Sequence, residues 1–223
     1  MIPKVIHYTW FSGDVKPPLV ERCLESWRTV MPDYEIIEWN SQNCDLNVVP
    51  FVAQASKLQR WAFVSDYFRF ALLAEHGGIY LDLDMEAKQP FGDLLKHDAF
   101  TGFETFKGTL IPVTSVLGSI PQHPFVVGAR DIFAQQSFLD EEGKPDVTPM
   151  GARLRDFMTH DMGVKLLDEK QELANNFVIY PSNVLCHESS QSIMVNHFMA
   201  SWIPNWKKRK ARLGDFLRKW RLI

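Results

Sequence analysis

A chain of 223 residues with 46% hydrophobic and 23% charged residues can bury a core of one-domain size, which excludes a disordered or low-complexity chain. A net charge of −3 gives no basis for binding nucleic acid through overall charge, and no nucleic-acid partner is expected. Cys23, Cys44 and Cys186 are odd in number and widely spaced, so they suit a reducing compartment and exclude both a disulfide framework and a CxxC metal site.

The opening MIPKVIHYTW lacks the charged region and apolar run of a secretory signal. No segment reaches the roughly 18 apolar residues that span a bilayer. A cytoplasmic location is therefore expected, with a reservation for the C-terminal segment. In chain order, the β-formers of 4–10 predict a first strand. Ser12-Gly13-Asp14 reads as a turn, and Pro17-Pro18 leads into a helix that Met31-Pro32-Asp33 stops. A second strand over 34–39 and a loop over 42–50 precede one long helix that runs to about His76. Gly77 suits the position after that helix, where a left-handed backbone is needed. A third strand over 78–83 follows, then short strands over 99–103 and 113–117. Helices are predicted over 123–136 and 151–160 with an exposed loop over 140–149 between them, and late strands over 177–180 and 184–187. Residues 205–221 read as a basic amphipathic helix.

Strands alternating with helices predict an α/β fold, Rossmann-like, with a mostly parallel sheet and flanking helices. Ligands of such sheets bind beyond the carboxyl ends of the strands. Asp82 and Asp84 stand at such an end.

The stretch WAFVSDYFRFALLAEHGGIYLDLDME, 61–86, carries the chemistry. Its helix is apolar nearly all round, which predicts burial. Asp66 and Arg69 share a face at three-residue spacing, with Ser65 on the same turn. Alone, such a buried pair is more often structural than functional, because buried charges are normally paired. In Asp82-Leu83-Asp84 a strand period sends both carboxylates to one face, where they suit Mg²⁺ or Mn²⁺ held with phosphate oxygens and water. A lone DxD usually marks a solvated loop end, but the preceding apolar strand and Gly77-Gly78 argue against that meaning here. Glu86 continues the alternation as a neighbouring or merely solvated group.

SDYFRFALLAEHGGIYLDLD resembles the signature of the DXD-containing glycosyltransferases of family 32, related to the glucosylating bacterial toxins and the fungal initiation-specific mannosyltransferases. The matching positions are Ser65, Asp66, Arg69, Leu73, Gly77, Gly78, Tyr80, Asp82 and Asp84. IPKVIHYTWFSG and the Ser26-Trp27 pair before Met31-Pro32-Asp33-Tyr34 add flanking matches. The resemblance implies a GT-A type fold, a nucleotide-diphosphate sugar donor, a divalent metal and transfer with retention. It implies that Trp10 stacks on the nucleobase, and that Ser65 and Tyr80 belong to the donor site. Asp66 and Arg69 bind donor hydroxyls, Asp82 meets the ribose or the metal shell, and Asp84 is the firmer metal ligand. The four charged residues form the expected catalytic set. The segment from His197 to Trp202 matches a family H-x-x-x-S-W pattern, which makes His197 a metal or diphosphate ligand and puts Ser201 and Trp202 against the donor. UDP-hexose is favoured over GDP-mannose by the resemblance alone. Where family members carry Gly-Pro, this chain has Thr148-Pro149-Met150-Gly151, a departure on the acceptor side.

The expected organisation is a single domain over 1–223, with a nucleotide-sugar half over 1–90, an acceptor half over 91–204 and the basic helix over 205–223. Eight Lys or Arg between Trp206 and Arg221 suit contact with an anionic membrane, at the cytoplasmic face of an inner membrane, or a solvated terminal face. The leading expectation is a retaining, metal-dependent hexosyltransferase acting on a glycan or lipid-linked glycan in bacterial surface or capsular polysaccharide synthesis. The alternatives are a non-catalytic sugar-nucleotide-binding module and a DxD metal-dependent phosphatase. Glu86 stands where such phosphatases usually have Thr or Val, which counts against the last.

Overall fold

The computed structural model describes residues 1–106, 108–112 and 115–199. Its elements are β1 (Val5–Thr9), α1 (Pro18–Val30), β2 (Glu35–Trp39), α2 (Pro50–Lys57), α3 (Trp61–His76), β3 (Gly78–Leu81), β4 (Met85–Ala87) and β5 (Ala99–Gly102). A hairpin of β6 (Glu104–Phe106) and β7 (Thr109–Ile111) follows, then β8 (Val116–Ser119), α4 (Pro124–Gln135) and α5 (Met150–Arg153). The chain continues through β9 (Gln171–Leu173), β10 (Phe177–Tyr180), α6 (Ser182–Leu185) and β11 (Met194–Asn196).

Seven strands form one sheet in the order β2-β1-β3-β8-β5-β10-β9. Parallel pairing of β1 with β2 and β3, and of β5 with β10, leaves β8 and β9 as the two strands that run against the other five. This is the α/β, mostly parallel arrangement with flanking helices that the sequence predicts. Alternation along the central strands feeds two cores, one on each face. Ile6, Tyr8, Ile79, Leu81 and Phe100 pack with Val20, Leu24 and Trp27 of α1. Tyr80, Leu117, Phe177 and Ile179 pack with α2, α3 and α4. Helix α1 begins on Pro18, whose fixed φ suits a first helical position, and buries Val20, Cys23, Leu24 and Trp27 along one stripe.

Several expectations are corrected. The long helix before His76 is two helices. Gln59, at φ 53°, turns the chain between them, and its N–H donates to Ser56 O while Arg60 N–H donates to Ala55 O. These are the two bonds of a Schellman cap, closed by Gln rather than Gly, which is why the break is silent in the sequence. The third strand ends at Leu81, before both aspartates. The strand expected over 113–117 is β8, displaced toward the C-terminus, and residues 113 and 114 lie outside the described residues. The helix expected over 151–160 is one short turn, α5, and a π-helical turn at Phe157–Asp161. The strand expected over 184–187 is instead helical, because Pro181 and the Asp168 carboxylate bonds to Ser182 N–H and Oγ–H start α6 there. The strand over 177–180 stands as β10.

Gly78 occupies a place only glycine fits. Its φ is 95°, and a Cβ there would lie 2.7 Å from Val5 O and 3.1 Å from His7 Nε2. Close approach of β3 to β1 at this point lets the next residues leave the sheet edge in register.

Candidate active site

Asp82 and Asp84 sit in a tight turn, not on a strand. Asp82 N–H donates to Ser115 O, and Met85 N–H returns to Asp82 O at 3.1 Å, closing a four-residue β-turn. The turn, rather than a two-residue strand period, presents both carboxylates. The Ser26-Trp27 pair braces it from below: Trp27 Nε1–H donates to Met85 O at 2.6 Å, and Ser26 Oγ accepts from Ala87 N–H at 2.9 Å. On the other side β4 pairs with β11, so that His197 N–H donates to Asp84 O and Met199 N–H to an Asp84 carboxylate oxygen at 2.8 Å.

Beneath the turn lies a charged seam on α3. One nitrogen of the Arg69 guanidinium donates to Asp66 Oδ1 at 2.9 Å, and the other to Asp82 Oδ2 at 3.2 Å. The three-residue helical spacing places Asp66 and Arg69 together as expected, and the seam ties the helix to the turn. Arg69 Nε is buried without a hydrogen-bond partner among the described residues. Tyr80 lies under Arg69, its ring centre 5.0 Å from the guanidinium carbon. Ser65 Oγ–H donates to Trp61 O and accepts from Thr9 Oγ–H, so Thr9 in turn accepts from the Tyr80 hydroxyl. Ser65 and Tyr80 thus spend their hydroxyls inside the protein. The 1% exposure of Tyr80 makes it the seat of Arg69 rather than a direct donor contact.

Burial pushes the Asp66 carboxyl up, to about 7, against the pull of Arg69. Burial, then the charge of Asp82, raises Asp84 to about 6. A third acid comes from outside the signature. Glu104, at the start of β6, is raised to about 7 by burial and by the charges of Asp82 and Asp84. It stands alone in a three-residue strand, with no motif to mark it in the sequence.

Trp10 lines a cleft of about 260 Å³ with Asp14, Lys16, Glu38 and Asn40, at the carboxyl ends of β1 and β2. Its Nε1–H donates to Asp14 O, and Lys16 Nζ sits 5.5 Å from its ring. His7 supports this edge from inside. Trp39 Nε1–H donates to His7 Nδ1, so the ring's proton is on Nε2, which donates to Gly77 O at 2.9 Å. Burial lowers the His7 pKa to about 4, keeping the ring neutral. His197 Nε2 meets a Glu86 carboxylate oxygen at 2.7 Å, so a metal-ligand role would fall to Nδ1, with Glu86 orienting the ring. Ser201, Trp202 and the basic segment 205–223 lie outside the described residues.

Residues 17–101 match the family described as glycosyltransferase sugar-binding region containing DXD motif. That segment includes the whole of the seam and the turn, so the part of the chain that carries the site is similar to the DXD-containing glycosyltransferases its sequence resembles. A mannosyl phosphorylinositol ceramide synthase of Saccharomyces cerevisiae is 30% identical over 56% of this chain and 33% of its own length. An uncharacterized glycosyltransferase of Acanthamoeba polyphaga mimivirus is 27% identical over 93% of this chain and 86% of its own. The chain thus spans about a third of the yeast relative. Among solved structures, a glycosyltransferase involved in glycosylation of the major capsid of PBCV-1 aligns with 87% of this chain and 93% of its own, at 10% identity and a TM-score of 0.48.

Proposed function

We propose that the chain transfers a hexose, with retention, from a nucleotide-diphosphate sugar to a glycan or lipid-linked glycan. One observation carries the reading: a single turn presents two carboxylates, and Arg69 binds one of them to the sugar-side acid Asp66. The residues fit a hard divalent cation. Both donors are carboxylate oxygens, Asp82 is 28% exposed at the side chain, and burial together with Asp82 disfavours charge on Asp84 in the absence of a counter-ion. Among the described residues no third acid, histidine or cysteine completes a protein-only cluster, so phosphate and water would fill the remaining positions. When bound, Mn²⁺ or Mg²⁺ supplies neutralisation of the charge that builds on the leaving diphosphate.

The chain's own groups do the rest. Arg69 fixes the Asp82 carboxylate in orientation, while the unspent oxygen of Asp66 accepts from sugar hydroxyls. The Trp10 cleft offers an aromatic face to a base, with Lys16 close to that face. Asp82 and Asp84 are assigned to the cation and Asp66 to sugar hydroxyls, so we favour a step with no covalent glycosyl-enzyme. The acceptor hydroxyl then attacks C1 on the face from which the diphosphate leaves, through an oxocarbenium-like state, and the departing diphosphate oxygen takes its proton.

UDP is the nucleotide we favour, and the mannosyl relative of yeast makes GDP-mannose the other donor to test. That relative, named for a mannosylated ceramide product, supports a lipid acceptor. The basic segment 205–223 suits an anionic lipid surface, which is the peripheral location we propose at the cytoplasmic face of a membrane. Among the described residues no helix is long and apolar enough to cross a membrane. Hydrolysis of UDP-hexoses and GDP-mannose, with and without Mn²⁺, tests the reading. Slow metal-dependent release of the free sugar, abolished in Asp84→Ala, is expected. Release of inorganic phosphate from a monoester would instead mark a phosphatase, and metal-dependent binding without turnover a binding module.

A further inference from the structure

The carboxyl edge of the sheet carries three features in spatial order. The Trp10 cleft follows β1 and β2, the DxD turn follows β3, and Glu104 follows β5. Strands β1, β2, β3 and β5 run the same way, so all three features emerge on one rim. Strand β8 separates β3 from β5, which puts Glu104 roughly two strand spacings, about 10 Å, along the rim from the turn.

The Glu104 carboxyl is half-buried and faces the charges of Asp82, Asp84 and Arg69. Among the described residues no hydrogen bond or ion pair takes it up. Its place is fixed by its neighbours. Phe103 N–H donates to Tyr180 O just before it, and the hairpin is pressed on Gly151, where a Cβ would stand 2.3 Å from Ile111 Cγ2. A fixed, partly desolvated carboxylate that no protein donor takes up is an acceptor left open to water or to a ligand's hydroxyl.

We propose that Glu104 reads the transferred sugar, accepting hydrogen bonds from hydroxyls of the donor hexose. The assignment rests on the nucleotide-sugar reading above. Of the three parts of such a donor, a carboxylate repels the diphosphate. The nucleoside is drawn to the Trp10 cleft at the far end of the rim. With the diphosphate on the turn between them, the hexose is the part that extends toward β5. Asp66 and Arg69 then hold it from the helix side and Glu104 from the hairpin side, which makes Glu104 a determinant of sugar specificity.

Isothermal titration of the full chain with UDP, UDP-glucose, UDP-galactose, GDP and GDP-mannose, each with Mn²⁺, tests this. The quantity to compare is the ratio of Kd for the nucleotide sugar to Kd for its own nucleoside diphosphate. Removing a like charge near the turn acts on both ligands, so the ratio isolates the sugar. Glu104→Ala is expected to raise the ratio roughly ten- to hundredfold, the range for a hydrogen bond to a charged group. The isosteric Glu104→Gln, which keeps an acceptor oxygen and the hairpin packing, is expected to raise it by a smaller factor. An unchanged ratio in both variants overturns the assignment while leaving the donor reading intact. Failure of the wild-type chain to bind any nucleotide with Mn²⁺ overturns both.

Discussion

Trp27→Phe tests whether the DxD turn is held from below. Trp27 is fully buried, and its Nε1–H reaches Met85 O at 2.6 Å, one residue past Asp84. Phenylalanine keeps most of the apolar packing, including the edge contact with Tyr8 at 5.9 Å, but has no donor. Losing that bond and stranding the carbonyl costs about 1–3 kcal/mol. The void left by the smaller ring adds roughly 1–2 kcal/mol. The sum, about 2–5 kcal/mol, lowers the Tm of a chain this size by roughly 4–20 °C. Urea unfolding followed by tryptophan fluorescence and by circular dichroism measures it, with the denaturant slope checked for constancy. Ser26→Ala, which removes the acceptor for Ala87 N–H, is the companion variant and should cost about 1 kcal/mol. Both variants should also weaken Mn²⁺-dependent nucleotide binding, because β4 holds one end of the turn. A Trp27→Phe chain within 0.5 kcal/mol of wild type, with unchanged nucleotide affinity, would refute the bracing argument.

Other consequences follow from single residues. Gly78→Ala places a Cβ 2.7 Å from Val5 O at φ 95°, so it should unfold the chain or lower its stability by more than about 2 kcal/mol; near-wild-type thermal melting would rule this out. His7 takes up its proton at about 4 in the folded chain and near 6.5 when unfolded, so the unfolded state binds more protons between those values. Its contribution is complete above pH 6.5 and lost as pH falls toward 4, on the order of 3 kcal/mol. The stability difference between wild type and His7→Gln should shrink over that window, and parallel profiles would contradict it. Asp84, raised to about 6, must shed its proton to hold a cation. Mn²⁺-dependent nucleotide affinity should therefore fall as pH drops below 6, and a titration flat from pH 7.5 to 5 would exclude Asp84 as a ligand.

The sequence by itself determined the parts that depend on local spacing. Three-residue helical spacing joined Asp66 to Arg69, and apolar alternation placed β1, β2, β5 and β10. Gly77 and Gly78 marked the stop before the acidic turn, because both need positive φ. The sequence was silent where a long-range partner chose the conformation. Gln59 could close α2 because the cap's two backbone bonds compensate for a non-glycine residue at φ 53°. Leu83 and Asp84 read as strand, yet they form a turn because Ser115 O and Trp27 take the backbone on either side. Ser65 and Tyr80, which the signature set against the donor, give their hydroxyls to Thr9 and Trp61, a network three elements must assemble. Glu104 joins the site only because β8 inserts between β3 and β5 and sets their carboxyl ends on one rim. Local pattern records what a residue's neighbours in the chain require. Which acid faces which charge across a sheet is decided by strand order, and that exists only after folding.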